Sequence, residues 1–305
     1  MVADASRLRA IVSDLGGSTL IDLGLQTKGS IDAGIQLARL CLGDAATISL
    51  HPSACSQLVD LDVMVHTDHP VAACLGGQYA GWPIQVDDYF AMGSGPMRMR
   101  RGKEETLQHL DLIQSAEPDD FAVGVLESDS LPSQRVAEQI ATECGVTPSQ
   151  LKLAIAPSTS VAGTVQVVAR CIETALHKMH ALNFDVNSVI SASGIAPLPP
   201  PAKPGDTIAG IGRTNDAILY GGRVSLWVDA DDATLETIIS RVPSQTSADH
   251  GRPFSEVFKD YDYDFYKVDP MLFSPAVVTL HSLQSGRSWR AGSVMEDVLK
   301  RSFGR

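Results

Sequence analysis

LKLAIAPSTSVAGTVQVVARCIETALHKM, residues 151–179, reads as a strand, a hydroxyl-rich loop and a helix in succession. Lys152–Ile155 is short and apolar enough for a strand. APSTSVAGT (156–164) concentrates Ser, Thr and Gly, residues that cap helix N-termini and offer hydroxyls and backbone N–H groups to a ligand. Beyond it, Val165, Val168, Ile172, Leu176 and Met179 recur at helical spacing and fall on one side. Gln166, Arg170, Glu173 and His177 fall on the other, in a stripe roughly 60° wide.

Two readings of that stripe stand side by side. Arg170 and Glu173 can be an exposed ion pair at i,i+3, which contributes only ~0.2–0.5 kcal/mol, and less with Arg placed before Glu. Alternatively, Arg170 and Glu173, flanked by Gln166 and His177, converge on one bound molecule, with Ser158 supplied by the preceding loop.

Working outward, Phe121–Leu126 is an apolar strand and Ser133–Glu143 a helix, and Val189–Ser193 follows the central helix as a third strand. Residues 117–198 therefore read as β-α-β-α-β with locally parallel strands. APLPPPAKP (196–204) is a stiff boundary. The flanking stretches, 1–116 and 199–305, mix short elements. Thr19–Leu23, Ala46–Leu50 and Leu61–Val65 are strand-like, and Ile31–Cys41 is helical. Asp87–Phe90 leads into the GSGP turn at 93–96. Ala217–Tyr220 and Arg223–Val228 flank Gly221–Gly222 as a hairpin signal, and Ala233–Arg241 and Val294–Phe303 read as helices on either side of a strand-like Phe273–Leu280. The fold class that results is α+β (mixed α/β). It comprises two intertwined lobes with mixed sheets flanked by helices, a cleft for substrate between them, and one functional unit over 1–305.

Composition narrows the function. The 305 residues carry a net charge of −12, which disfavours nucleic acid and anionic membrane as partners. No apolar run approaches the ~18 residues that span a bilayer, and MVADASRLRA lacks a leader's apolar segment. Five cysteines, none spaced CxxC, suit reduced thiols in a cytoplasm. Arg98, Arg100, Arg101 and Lys103 form the one basic cluster, either a small-anion site or a solvated loop balanced by Glu104 and Glu105.

Several motifs fail. GIGRTN (210–215) lacks the third glycine of a dinucleotide fingerprint, and no Walker A or GxSxG sequence occurs. DYDYDFYKVDPM (260–271) has Phe265 and Met271 where a calcium loop needs Gly and Glu. The pairs His66/His69 and His177/His180 lack further ligands at zinc spacing, HExxH is absent, and so is the zinc deaminase pattern. The sequence therefore predicts no metal site.

ARCIETALHK resembles the central helix of the methenyltetrahydromethanopterin cyclohydrolases of methanogenic archaea and methylotrophic bacteria. DHPVAACLGGQYAGW (68–82), YFAMGSGPMR (89–98), GIGRTNDAILYGGRV (210–224), TSADHGRPFSEVF (246–258), DFYKVDPMLFSPA (264–276) and VLKRSFG (298–304) resemble the same family in the same order. The similarity runs from about Leu20 to the end.

The resemblance implies an enzyme that opens the methenyl bridge of tetrahydromethanopterin to the N5-formyl compound, reversibly, with no cofactor beyond that carrier. It also implies a homotrimer. Arg170 and Glu173 match the family's catalytic pair. Glu173 would take a proton from water, and Arg170 would orient and tune it, since a neighbouring guanidinium lowers a carboxylate's pKa by ~1–3 units while burial raises it. Ser94, Gly95 and Arg98 match its GSGP loop, and Arg98 and Lys103 would hold the carrier's acidic tail or else be surface charge. Arg213, Asn215 and Asp216 offer polar groups to a pterin ring or cap a turn, and Tyr220 and Tyr266 pack on the ring or in the core. Two departures stand out. Related chains carry an extra helix before the equivalent of Val2–Val12, and Met97, Met99, Arg100 and Arg101 replace smaller apolar residues after GSGP, which bears on the carrier variant bound. A tetrahydropterin-binding chain without turnover is the second reading. A nicotinamide enzyme, resting on glycine-rich turns alone, is the third.

Overall fold

A computed structural model describes residues 1–55, 57–113 and 121–304, without the side chain of Tyr266. Its strands in chain order are β1 (Ile11–Leu15), β2 (Ser18–Asp22), β3 (Thr47–Pro52), β4 (Leu61–Thr67), β5 (Trp82–Val86), β6 (Tyr89–Ser94), β7 (Ala122–Glu127), β8 (Leu151–Ala156), β9 (Val189–Pro197), β10 (Arg223–Val228), β11 (Val277–Ser282) and β12 (Ser288–Gly292). The α-helices are α1 (Ala5–Leu8), α2 (Ile31–Cys41), α3 (Met97–Arg101), α4 (Glu105–His109), α5 (Gln134–Glu143), α6 (Val161–Val168), α7 (Cys171–Ala181), α8 (Thr207–Gly221), α9 (Asp232–Ile239), α10 (Phe254–Asp260) and α11 (Glu296–Phe303).

Met1–Ala45 and Ala72–Gln166 form the first compact unit. Its six-stranded sheet runs β1-β2-β8-β7-β6-β5, with β8 parallel to both β2 and β7 and the other pairs antiparallel. LKLAIA in β8 is apolar on both faces apart from half-buried Lys152, as suits a covered strand. Leu151, Leu153 and Ile155 pack with Val136, Ala137 and Ile140 of α5. Ala154 and Ala156 pack with Ala33, Leu37 and Cys41 of α2. Each large side chain buried this way stabilises the unit by ~1.5–3 kcal/mol.

Ala46–Val71 and Val167–Arg305 form the second unit. Its sheet runs β12-β11-β10-β9-β4-β3, and only β10 and β11 are parallel. Ala192, Gly194 and Ala196 make one face of β9 small, and α7 and α8 pack against that strand. Ser191, Ser193 and Ile195 turn to a more solvated face beside His66 of β4 and Trp227 of β10. Lys178 of α7 is wholly buried, and its ammonium donates to Pro243 O (2.8 Å), Thr246 Oγ1 (2.7 Å) and Met271 O (2.6 Å).

Two mixed sheets flanked by helices agree with the α+β class read from the sequence. Three details differ. The β-α-β-α-β reading of 117–198 holds for β7 and β8, which are parallel, but β9 joins the other sheet, antiparallel to β4 and β10. The chain leaves the first unit after Gln166, so the stretch between β8 and β9 is not a crossover packed back on one sheet. Ala217–Tyr220 is not a hairpin strand. It continues α8, whose apolar side buries Ala217, Ile218 and Tyr220, and Arg223 opens β10 beside β11 instead. The central helix is broken: α6 ends at Val168, α7 begins at Cys171, and Ala169 and Arg170 form the turn.

Candidate active site

The break in the central helix sets the site's geometry. Arg170 sits at the N-cap of α7 with φ −84° and ψ 5°, and Glu173 is the third residue of that helix. Both therefore occupy the first turn, where the unpaired N–H groups and the helix dipole favour a carboxylate. Neither is exposed, so the surface ion-pair reading is set aside: Arg170 is 7% and Glu173 5% accessible. Arg170 Nη1 stands 3.8 Å from Glu173 Oε2, an ion-pair separation too long for a hydrogen bond. Taking two charges out of water is costly, so burial of such a pair is weak evidence that it serves stability. Cys171 beside them is inert, because burial pushes its thiol up to about 12.

In the first unit a second group of buried polar atoms surrounds the end of α2. Gln166 Nε2 donates to Cys41 Sγ at 3.3 Å, and Ser94 Oγ lies 3.5 Å from the same sulfur. Gly95 follows at φ +93°, a conformation L side chains resist, and its N–H donates to Gly77 O at 2.7 Å. Ser160 caps α6 by accepting the Gly163 N–H at 2.9 Å. Ser158 is buried, and its Oγ meets no hydrogen-bond partner among the described residues. The structure thus brings Ser94 and Gln166 together through Cys41, a residue that sequence reasoning missed. Its position closing a helix of apolar spacing carries no chemical signal.

Comparison with known proteins decides the family. A model of the cyclohydrolase family described as MCH matches residues 1–303. The chain is 63% identical to the methenyltetrahydromethanopterin cyclohydrolase of Rhodopirellula baltica, over 97% of this chain and 89% of that protein. The chain belongs to the methenyltetrahydromethanopterin cyclohydrolase family. Identity is 44% to the protein of that name from Methylobacillus flagellatus, covering 100% and 92% of the two chains. It is 42% to the one from Methanococcoides burtonii, covering 94% and 89%.

Within this cyclohydrolase chain, Arg98, Asp216 and Tyr220 are buried in contacts with their neighbours. Arg98 is wholly buried and has no access to a carrier's acidic tail. Its Nη1 donates to the carbonyls of Leu75, Gly76 and Gly77, and its Nε donates to Glu104 Oε1 at 2.9 Å, with Tyr79 stacked 5.1 Å away. The reason is local: α3 follows the GSGP turn and carries Arg98 against the end of the π-helical segment Val71–Gln78, whose last carbonyls need donors. Lys103 is 59% exposed and pairs with Glu143 at 3.2 Å.

The GRTND residues lie inside α8, not in a turn. Arg213 Nη1 donates to Pro200 O (3.2 Å) and Pro201 O (3.0 Å), and Asn215 Nδ2 donates to Ile211 O (2.9 Å) one turn back. Asp216 is fully buried, and its Oδ1 accepts the Phe254 N–H at 2.8 Å. Burial pushes its carboxyl up to about 7, against the Ser302 hydroxyl and the Phe254 N–H. Tyr220 is fully buried, donates to Arg252 O at 2.7 Å and accepts from Gly251 N at 3.2 Å, which makes it a core tie rather than a ring platform. Burial holds its phenol at about 12. The Tyr266 side chain lies outside the described residues.

Proposed function

We propose that the chain catalyses reversible hydrolysis of N5,N10-methenyl-tetrahydromethanopterin to the N5-formyl compound. The observation that carries this reading is the buried Arg170/Glu173 pair at the start of α7, in a chain whose relatives bear the cyclohydrolase name.

The methenyl carbon lies between two nitrogens as a cationic amidinium, so the carrier itself brings the electrophile. Glu173 accepts a proton from a water as the hydroxyl adds to that carbon. The neutral tetrahedral adduct then breaks its C–N10 bond, its hydroxyl proton passes to N10, and the formyl group remains on N5. The proton taken by Glu173 returns to solvent, so one proton is released overall. Arg170 orients the carboxylate and the water. A base of this kind contributes ~10²–10⁴-fold. No further cofactor enters these steps. Gln166, Ser94, Gly95 and Ser158 are proposed to meet the substrate. Arg213 and Asn215 are proposed to meet the ring, and exposed Lys103 the tail.

Among the described residues no helix is long and apolar enough to cross a membrane. A cytoplasmic homotrimer is the proposed working form, checked by light scattering on the purified protein.

The test mixes purified protein with methenyl-tetrahydromethanopterin and follows loss of the methenyl absorbance, with the folate analogue alongside. Rapid loss with the methanopterin form is expected. Glu173→Gln is expected to slow it by ~10²–10⁴-fold while the melting curve stays intact. Near wild-type turnover in that variant would sink the mechanism. Tight binding without turnover by the wild-type protein would sink the reaction.

A further inference from the structure

We propose that Gly194 of β9 is a positioning residue for the Arg170/Glu173 pair, acting as the seat on which the first turn of α7 rests. The functional consequence rests on the cyclohydrolase reading of that pair; the seat itself is a matter of geometry.

Glycine in the interior of a strand needs a reason, because it weakens the strand and packs nothing. Gly194 is paired on both sides, with Val65 of β4 and Val224 of β10. Its φ is not among the positive ones, so any residue satisfies its backbone conformation. What it supplies is space. A Cβ at this position would lie 2.5 Å from Cys171 Sγ, 2.9 Å from Ile172 Cγ1 and 3.3 Å from Val224 Cγ2. Cys171 and Ile172 are both 0% accessible, so their close-packed surroundings resist rotation of either side chain, and β-branched Ile172 has essentially one χ1 rotamer in a helix. A side chain at 194 is therefore relieved mainly by moving the start of α7 away from β9. Cys171 and Ile172 are the two residues between Arg170 and Glu173, so that movement displaces both members of the pair.

Catalysis is sensitive to such shifts, since a misplacement of about 1 Å costs on the order of 10²-fold. Gly194→Ala is expected to lower kcat by about 10- to 100-fold with KM changed less than about 3-fold. Cys171→Ala removes the sulfur that the new methyl group meets. Alone it is expected to cost less than about 5-fold, and combined with Gly194→Ala to recover at least about 5-fold of the lost kcat. A purely structural glycine would lower stability without this split between kcat and KM and without rescue by a second truncation.

Crystal structures of the wild type, Gly194→Ala and the double variant supply a readout independent of turnover. The seat predicts a displacement of the Arg170 and Glu173 backbones in the single variant and its reversal in the double. A pair displaced in Gly194→Ala, with a wild-type protein that turns nothing over, would keep the seat and discard the functional reading. An undisplaced pair, or a folded Gly194→Ala variant with wild-type kcat, would overturn the proposal. So would a double variant no faster than the single one.

Discussion

At the scale of the residue, burial separates side chains that look alike in the sequence. Arg98 and Lys103 belong to one basic cluster, yet Arg98 is 0% and Lys103 59% accessible at the side chain. Removing Arg98 takes the donor from Glu104 and from the Leu75 and Gly76 carbonyls, while Gly77 O keeps the Gly95 N–H. Arg98→Ala is therefore expected to destabilise by ~3–5 kcal/mol, whereas Lys103→Ala changes stability by under ~0.5 kcal/mol. Denaturant unfolding of the two variants distinguishes them, and equal midpoints would refute the assignment. The Arg-x-x-Glu spacing of 170 and 173 was legible in the sequence, because spacing is a property of the chain. Whether the pair faced water was not, because exposure depends on what packs above it.

At the scale of the element, the central helix shows how periodicity misleads by being nearly right. Val165, Val168, Ile172, Leu176 and Met179 keep helical spacing across the turn at Ala169 and Arg170, so the pattern does not register the break. Beyond the break, α7 is held by Lys178, whose three donors match three acceptors, two at Pro243 and Thr246 and one at Met271. Replacing Lys178 with Met keeps the volume and removes the donor to Met271 O and Thr246 Oγ1, while Pro243 O still accepts from Thr246. Lys178→Met is expected to cost ~2–4 kcal/mol. Its thermal melt should fall accordingly, and an unchanged melting temperature would contradict the role. The same reasoning explains α8. GRTNDAILYGG carries turn residues that suggest a hairpin, but the apolar side of Ala217, Ile218 and Tyr220 has α10 and α11 to pack against, and packing outweighs local turn preference.

At the scale of the whole molecule, stability depends on pH through Asp216. An unfolded carboxyl titrates near 3.8, whereas the folded one is raised to about 7 by burial. The folded state therefore holds this proton more tightly, so Asp216's contribution is fully present below about pH 4 and is lost as pH rises towards 7. Asparagine at 216 still accepts the Phe254 N–H but cannot titrate. Melting temperatures across this range should therefore fall less steeply in Asp216→Asn than in the wild type, and parallel curves would refute the claim. The sequence by itself determined the α+β class, most of the strands and helices, the family, and the Arg170/Glu173 spacing, because hydrophobic period and ordered motifs are written along the chain. Tertiary structure alone decided that β9 leaves the sheet of β7 and β8, that the helix breaks at Arg170, that Arg98, Asp216 and Tyr220 are spent inside, and that Gly194 opens space for α7. Each of these turns on atoms brought within a few ångströms from distant parts of the sequence, where steric fit and desolvation, neither encoded locally, set the outcome.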